Sequence, residues 1–378
     1  MTETAAPIAQ QGEALRIDYI PRPGLLPLAL LNALLWFGTL GIYRFWAKTN
    51  VRKHIWSCVH INGHPLEYTG KGSELFLGAL LVFLILGLPA GLLISAITIA
   101  YGPDHPAVGG VQLLLALLIA VLWGAAIYRA RRYQLSRTLW RGIRGALAGS
   151  TTVYMLTYFG SILARSMTFG WSTPVMNFNL QELMVSSMRF GTMPFRFKGR
   201  AGPLYPRYAL CWMLMLFSGV ALITAIGVEI YALLGDELAK VFADGSMPPS
   251  ESRDFKIGIV AMSLAGVYVA YLFAYPLIWA FYNARELALF ASYTMIDQAR
   301  FRLDATTGSL MLLSLGNVLL WIFTLGIAAP FIQQRTVRYL CDRMTVEGTV
   351  DIGRIMQSPA PVSKTGEGLA DAFDVGGL

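Results

Sequence analysis

"TLGIYRFWAKTNVRKHIW" (Thr39–Trp56) follows directly on an apolar run, "LLPLALLNALLWFG" (Leu25–Gly38). Four cations, Arg44, Lys48, Arg52 and Lys53, enter a stretch that is otherwise greasy. Basic residues after an apolar helix are ordinary at the cytoplasmic end of a membrane span. Here, however, Thr39 and Gly41 break the helix, and an amphipathic helical stretch follows instead of a loop. How this stretch is read decides how many times the chain crosses a membrane.

Of the 378 residues, 55% are apolar and 14% charged, with a net charge of +8. An average soluble domain is about 25% charged. Seven apolar segments stand out, over roughly residues 25–43, 73–101, 108–128, 151–169, 204–234, 255–283 and 308–331. Several exceed the ~20 residues that a helix needs to cross a ~30 Å hydrocarbon core. Continuous runs such as "FLGALLVFLILGLPAGLLISAITIA" lack the alternation of barrel strands, so the spans read as helices. No cleavable signal peptide is expected at the N-terminus. The basic residues sit beside membrane segments, which points to anionic lipid head groups and not to nucleic acid. Cys58, Cys211 and Cys341 are scattered and offer no disulfide framework.

The opening motif recurs. "NALLWFGTLGIYRF", "SILARSMTFGWSTP" and "NVLLWIFTLGIAAP" align on Thr39/Gly41, Thr168/Gly170 and Thr324/Gly326. Asn32, Ser161 or Asn317 stands seven residues before each Thr, and Trp36, Arg165 or Trp321 three before. An amphipathic helical stretch follows each break. Each copy then ends in a two-strand pattern: "VHINGHPLEYTG", "MRFGTMPFRFKG" and "MTVEGTVDIG". Asn62-Gly63 is a hairpin turn signal. Upstream of each copy lies a strand-like stretch: "ALRIDYI", "LWRGIRGAL" or "ARFRLDA". Pairs of long apolar helices separate the copies. The expected fold is an all-α polytopic membrane protein, with four long transmembrane helices and three helix-break-helix modules carrying small β-hairpins on the cytoplasmic side. The division expected is a disordered N-terminus (1–15), module 1 (16–72), helix pair 1 (73–128), module 2 (129–203), helix pair 2 (204–283), module 3 (284–356) and a disordered tail (357–378).

Charge parity supports this order. Connections 129–150 and 283–307 and the stretches after modules 2 and 3 are rich in Arg, while "YGPDHPAVGG" has no Lys or Arg. Both ends of modules 2 and 3 therefore read as cytoplasmic. A single crossing cannot satisfy that, whereas a module that enters the membrane, breaks and returns can. Both chain termini are then cytoplasmic. The alternative is seven full spans with some basic loops on the outer side.

"TLGIYRFWAKTNVRKHI" followed by "GHPLEYTGKGSELFLGALL" resembles the YjgN-like family of bacterial inner-membrane proteins, a domain of unknown function. The likeness runs from about residue 15 to 355. It implies a multi-pass inner-membrane protein and carries over no activity, substrate or catalytic residue. The second and third copies lose the aromatic-basic run, which singles out the first.

Catalytic signals are weak. The chain has no GxSxG, HExxH, Walker loop or dinucleotide fingerprint. Cys58, His60 and His64 cluster without a clear fourth ligand. No catalytic residue, cofactor or metal is expected, and an enzyme is the least supported reading. Tyr268, Tyr271, Tyr275 and Tyr282 share one face of a long helix, near Pro276, and could line a path. Glu229 is an acid within an apolar segment. Gly87, Gly91 and Ser95 form a small-residue row suited to close helix contact. Two functions compete. One is a transporter or channel for a small or amphipathic solute, using Tyr268, Tyr271, Tyr275 and Glu229. The other is a scaffold that binds anionic lipid or a protein partner through Arg44, Lys48, Arg52 and Lys53. A homo-oligomer is compatible with either.

Overall fold

In the computed structural model, residues 12–244 and 250–358 are described. Of the two segments expected to be disordered, residues 1–11 and 359–378 lie outside the described residues. Within the first of these segments, Glu13 pairs with Val350. Two compact units make up the chain. The larger draws on Met1–Ala201, Leu287–Asp304 and Leu320–Leu378, and the smaller on Gly202–Glu286 and Ala305–Leu319.

Strands organise the larger unit. β1 (Ile17–Tyr19), β2 (Val59–Ile61) and β3 (His64–Pro65) form one antiparallel sheet. An eight-stranded sheet is built from β4 (Glu67–Tyr68), β5 (Thr138–Trp140), β6 (Ile143–Leu147), β7 (Met188–Phe190), β8 (Met193–Phe197), β9 (Thr294–Ile296), β10 (Ala299–Leu303) and β11 (Met344–Glu347). Its spatial order is the chain order, and every pairing is antiparallel. Tight turns join β5 to β6, β7 to β8 and β9 to β10, and helices fill the other gaps.

The all-α expectation is thereby corrected. A lone hairpin leaves a row of unpaired N–H and C=O groups on each edge. Here hairpins β5–β6, β7–β8 and β9–β10 each pair with the next along the chain and merge into one sheet, while β2–β3 stays in the small sheet with β1. Two turns are fixed by left-handed backbone, Asn62-Gly63 (φ 49° and 77°) and Arg141-Gly142 (φ 49° and 75°), the geometry that suits a tight hairpin. "MTVEGTVDIG" was expected to give two strands. It gives β11, the single bridge at Val350 and a 3₁₀ turn at Ile352–Arg354.

The helices fall into long and short sets. Among the described residues, four stretches are long and apolar enough to cross a membrane: Gly72–Tyr101, Pro106–Arg137, Gly202–Gly235 and Asp254–Tyr293. The first is α3 (Gly72–Val82) joined to α4 (Leu88–Tyr101) by a π-helical turn, Phe83–Gly87. Pro89 has no N–H to donate, and the widened turn before it accommodates that loss. The others are α5 (Pro106–Arg137), α8 (Tyr205–Asp244) and α9 (Ser250–Tyr293). The short helices are α1 (Leu25–Gly38), α2 (Arg44–Trp56), α6 (Thr151–Met167), α7 (Thr173–Ser186), α10 (Thr307–Phe323) and α11 (Ala329–Arg343). Gly87, Gly91 and Ser95 are exposed, so the small-residue row is not packed against another helix among the described residues.

Aromatic residues bind the short helices to the sheet. Phe45, Tyr68, Leu75, Ala79 and Tyr133 form one buried cluster, with Trp46, Trp56 and Phe76 packed against it. Polar contacts fix its orientation. Glu74 accepts from Tyr133 Oη at 2.6 Å and from Arg137 Nη2 at 2.7 Å. Trp56 Nε1 donates to Thr138 Oγ1 at 3.0 Å. Trp140 Nε1, on the large sheet, donates to Ile61 O on the small one at 3.1 Å. Burial pushes the Tyr19 phenol well above its usual range. On α11, burial, with the Asp342 charge second, pushes the Cys341 thiol up to about 11.

Two predictions follow from this packing. Glu74→Ala removes one acceptor from both Tyr133 and Arg137 and should destabilise the protein by about 1.5–3 kcal/mol; Glu74→Gln should recover part of that in thermal unfolding in detergent. Tyr19 and Cys341 are acids raised on folding, so their contribution is intact below pH 9; that of Cys341 is lost as pH rises through about 11, and that of Tyr19 begins to be lost above pH 10. The unfolding temperature should fall over that window, and Cys341→Ala should make the fall shallower.

Candidate functional site: a cleft between two helix breaks

The same local backbone occurs at three places. At the end of α1, Leu40 N–H donates to Phe37 O (3.2 Å) and Gly41 N–H to Trp36 O (2.8 Å). These two bonds are the Schellman helix stop, with its left-handed residue at Leu40 (φ 50°) and Gly41 next (φ 88°). Phe169 and Gly170 repeat it after α6, donating to Ser166 O and Arg165 O; Leu325 and Gly326 repeat it after α10, donating to Ile322 O and Trp321 O. The threonine serves both helices at each break. Thr39 Oγ1 donates to Leu35 O (2.7 Å) and accepts from Tyr43 N–H (2.9 Å). Thr168 does the same with Ala164 O and Ser172 N–H, and Thr324 with Leu320 O and Ala328 N–H. One hydroxyl thus adds a second bond to a carbonyl of the first helix, which already accepts the threonine's own N–H, and satisfies an amide at the start of the second. The left-handed residue points outward, with Leu40, Phe169 and Leu325 exposed by 95%, 85% and 90%.

The first and third breaks face one another across a cleft of about 490 Å³. Asn32, Trp36 and Phe37 of α1 form one wall, and Arg44, Phe45 and Lys48 of α2 another. Leu325, Ile327, Pro330 and Gln333 close it from the third break. Its surface is mainly apolar, with the two cations on one side. Among the described lining residues there is no carboxylate. Asn32 is only 5% exposed, and neither its amide oxygen nor its nitrogen has a hydrogen-bond partner. The residue at the matching place in the middle copy is satisfied locally, since Ser161 Oγ donates to Thr157 O at 2.7 Å. Arg165, where the other copies have Trp, reaches across its own break to Asn177 Oδ1 at 2.7 Å.

The residues singled out in the sequence divide. Arg44 and Lys48 lie at the cleft and Lys53 is exposed. Arg52 is not at the surface. It is 4% exposed and donates to Tyr68 Oη at 2.9 Å, its guanidinium over the Tyr68 ring, so it is a packing residue of α2. Cys58 Sγ donates to His54 O, and His60 Nδ1 lies against Cys58 O, so both engage nearby backbone. In the smaller unit Tyr268, Tyr271 and Tyr275 line a shallow apolar groove of about 560 Å³. Tyr271 Oη is 2.7 Å from Ser218 Oγ. Glu229 is not part of that groove and accepts from Ser263 Oγ at 2.7 Å. Tyr282 turns away to Glu286 Oε1. Sequence reasoning missed Asn32 as a site residue, although its position before Thr39 marked it, and missed Gln333 entirely.

Among the described residues, four helices long and apolar enough to cross a membrane give the chain the make-up of a multi-pass membrane protein. It belongs to the family described as "Bacterial protein of unknown function (DUF898)", which matches residues 24–372. It is similar to the inner membrane protein YjgN of Salmonella typhimurium (strain LT2), at 34% identity over 116 residues, 31% of this chain and 27% of the relative. The proteins of that name from Escherichia coli O157:H7 and K12 are 28% and 27% identical over 43% of this chain and 39% of each relative. The matched stretches therefore cover well under half of the length of these relatives. No solved structure matches the chain.

The break geometry is open to test. Thr39→Val loses both hydroxyl bonds and should cost about 1–2 kcal/mol, whereas Thr39→Ser should cost a few tenths. Thermal unfolding of the two variants in the same detergent measures the difference.

Proposed function

We propose that this is a multi-pass inner-membrane protein in which three helix-break-helix modules (16–72, 129–203 and 284–356) enter the inner leaflet from the cytoplasm and return, while the two helix pairs make four crossings. The observation that carries this reading is strand adjacency. β1 and β2 flank α1–α2 and pair with one another; β6 and β7 flank α6–α7; β10 and β11 flank α10–α11. A chain that leaves a sheet and returns to the neighbouring strand ends on the side from which it left. Length agrees with this. α1 has 14 residues and α6 and α10 have 17 each, or about 21–26 Å at 1.5 Å per residue, short of a ~30 Å core. Leu40, Phe169 and Leu325 are the apolar tips at the turning points.

The function this geometry supports best is the binding of an amphipathic solute that partitions into the inner leaflet, at the cleft between the first and third breaks. An apolar cleft with a few polar groups is the usual form of a small-molecule site. Transport of that solute is a second reading, favoured by the Glu229–Ser263 and Tyr271–Ser218 contacts that place polar groups along α8 and α9.

Sidedness tests the arrangement. Single cysteines in a cysteine-free background, placed before residue 25, after Gly41, between 140 and 150, near 195, near 305 and at the C-terminus, should all resist an impermeant thiol reagent added to intact cells. Controls in 102–108 and 243–252 should label. A module whose two flanks label from opposite sides would sink the returning arrangement for that module.

A further inference from the structure

We infer that the cleft between the first and third breaks is a binding site for one anionic phospholipid of the inner leaflet, with its phosphate held by Arg44 and Lys48, a head-group hydroxyl or ester oxygen on the Asn32 amide, and an acyl chain over Trp36, Phe37 and Leu325. The inference rests on the returning arrangement proposed above, because only that puts the cleft in the inner leaflet.

Three observations converge on this ligand class. The first is the amide. A buried polar group with no partner is disfavoured by about 1–3 kcal/mol, and native proteins rarely keep one without a ligand or water. Asn32 is such a group, with donor and acceptor both unused and its side chain in the cleft wall. The second is charge. Arg44 and Lys48 are four residues apart on α2, hence on one helix face, and both line the cleft. Their positive edge complements a phosphate diester. The third is the opposite rim, where Trp36, Phe37 and Leu325 are all exposed. That rim is apolar enough to meet a chain but has nothing to hold a second ion. A free inorganic anion would use the cations and leave the rim idle. At about 490 Å³ the cleft takes a head group and the start of one chain, the rest of the lipid remaining in the bilayer.

The test uses the full chain, purified in a neutral detergent and delipidated, and measured by native mass spectrometry and thermal shift. Phosphatidylglycerol, phosphatidylethanolamine and inorganic phosphate are the probes. Wild type should bind one phosphatidylglycerol at least tenfold more tightly than phosphatidylethanolamine, with no thermal shift from millimolar phosphate. The Arg44→Gln, Lys48→Gln double variant should lose that preference. Asn32→Leu should unfold at or above the wild-type temperature without lipid, since it removes an unpaired buried amide, yet bind phosphatidylglycerol at least tenfold more weakly. Equal affinity for the two lipids in wild type, an unchanged preference in both variants, or a phosphate shift matching that of the lipid each overturns the site. Sidedness labelling is read separately: protected module flanks with no lipid preference refute the site alone, whereas oppositely labelled flanks refute the arrangement beneath it.

Discussion

Backbone amides can go unpaired in water but not in hydrocarbon, where each costs several kcal/mol. A chain that alternates short strands with apolar helices must therefore keep every strand on a wet side of the bilayer. In this protein the strands meet that demand together, because β4 through β11 pair in the order in which they are made. Each helical excursion starts and finishes on adjacent strands. The helices are free to be greasy because the sheet collects their ends.

The break is the second recurring solution. A helix stop needs a left-handed residue, and glycine or asparagine takes that conformation most easily. Here Leu40, Phe169 and Leu325 occupy it at φ near 50°, with glycine one place later. The left-handed conformation is unfavourable by roughly 1–2 kcal/mol for such residues. What it provides is a large, exposed apolar side chain at the apex. The threonine preceding it offsets part of the strain by bonding to both helices. Polar demands are thus met inside the turn and apolar surface is presented outside it.

Much of this was legible in the residues and some was not. The Thr-x-Gly recurrences, the four long apolar stretches and the Asn62-Gly63 hairpin are local signals, and local physics decides them. The continuous sheet was not visible, because a three-residue strand such as β7 carries no mark of its partner, and pairing with β6 depends on where α6 and α7 deliver the chain. Arg52 misled for a similar reason. Its charge suggests a surface, but Tyr68, sixteen residues on, folds over it. The cleft was hidden because Asn32 and Gln333 are about 300 residues apart in the chain. Only the fold makes them neighbours.

The meander also bears on how such a protein is made. Chains emerge N-terminus first, and domains tend to fold as they appear. In the large sheet each new strand finds its partner already in place, since the strand before it in sequence is also beside it in space. Within that sheet no early strand waits for one synthesised at the far end, whereas the Glu13–Val350 bridge outside it does. Every helical insert is synthesised before the strand that closes it. Assembly is therefore vectorial, and the growing edge serves as the template at each stage. An arrested chain ending after β6 would already have β4, β5 and β6 paired, and the free edge of β6 is the one that β7 fills when synthesis resumes.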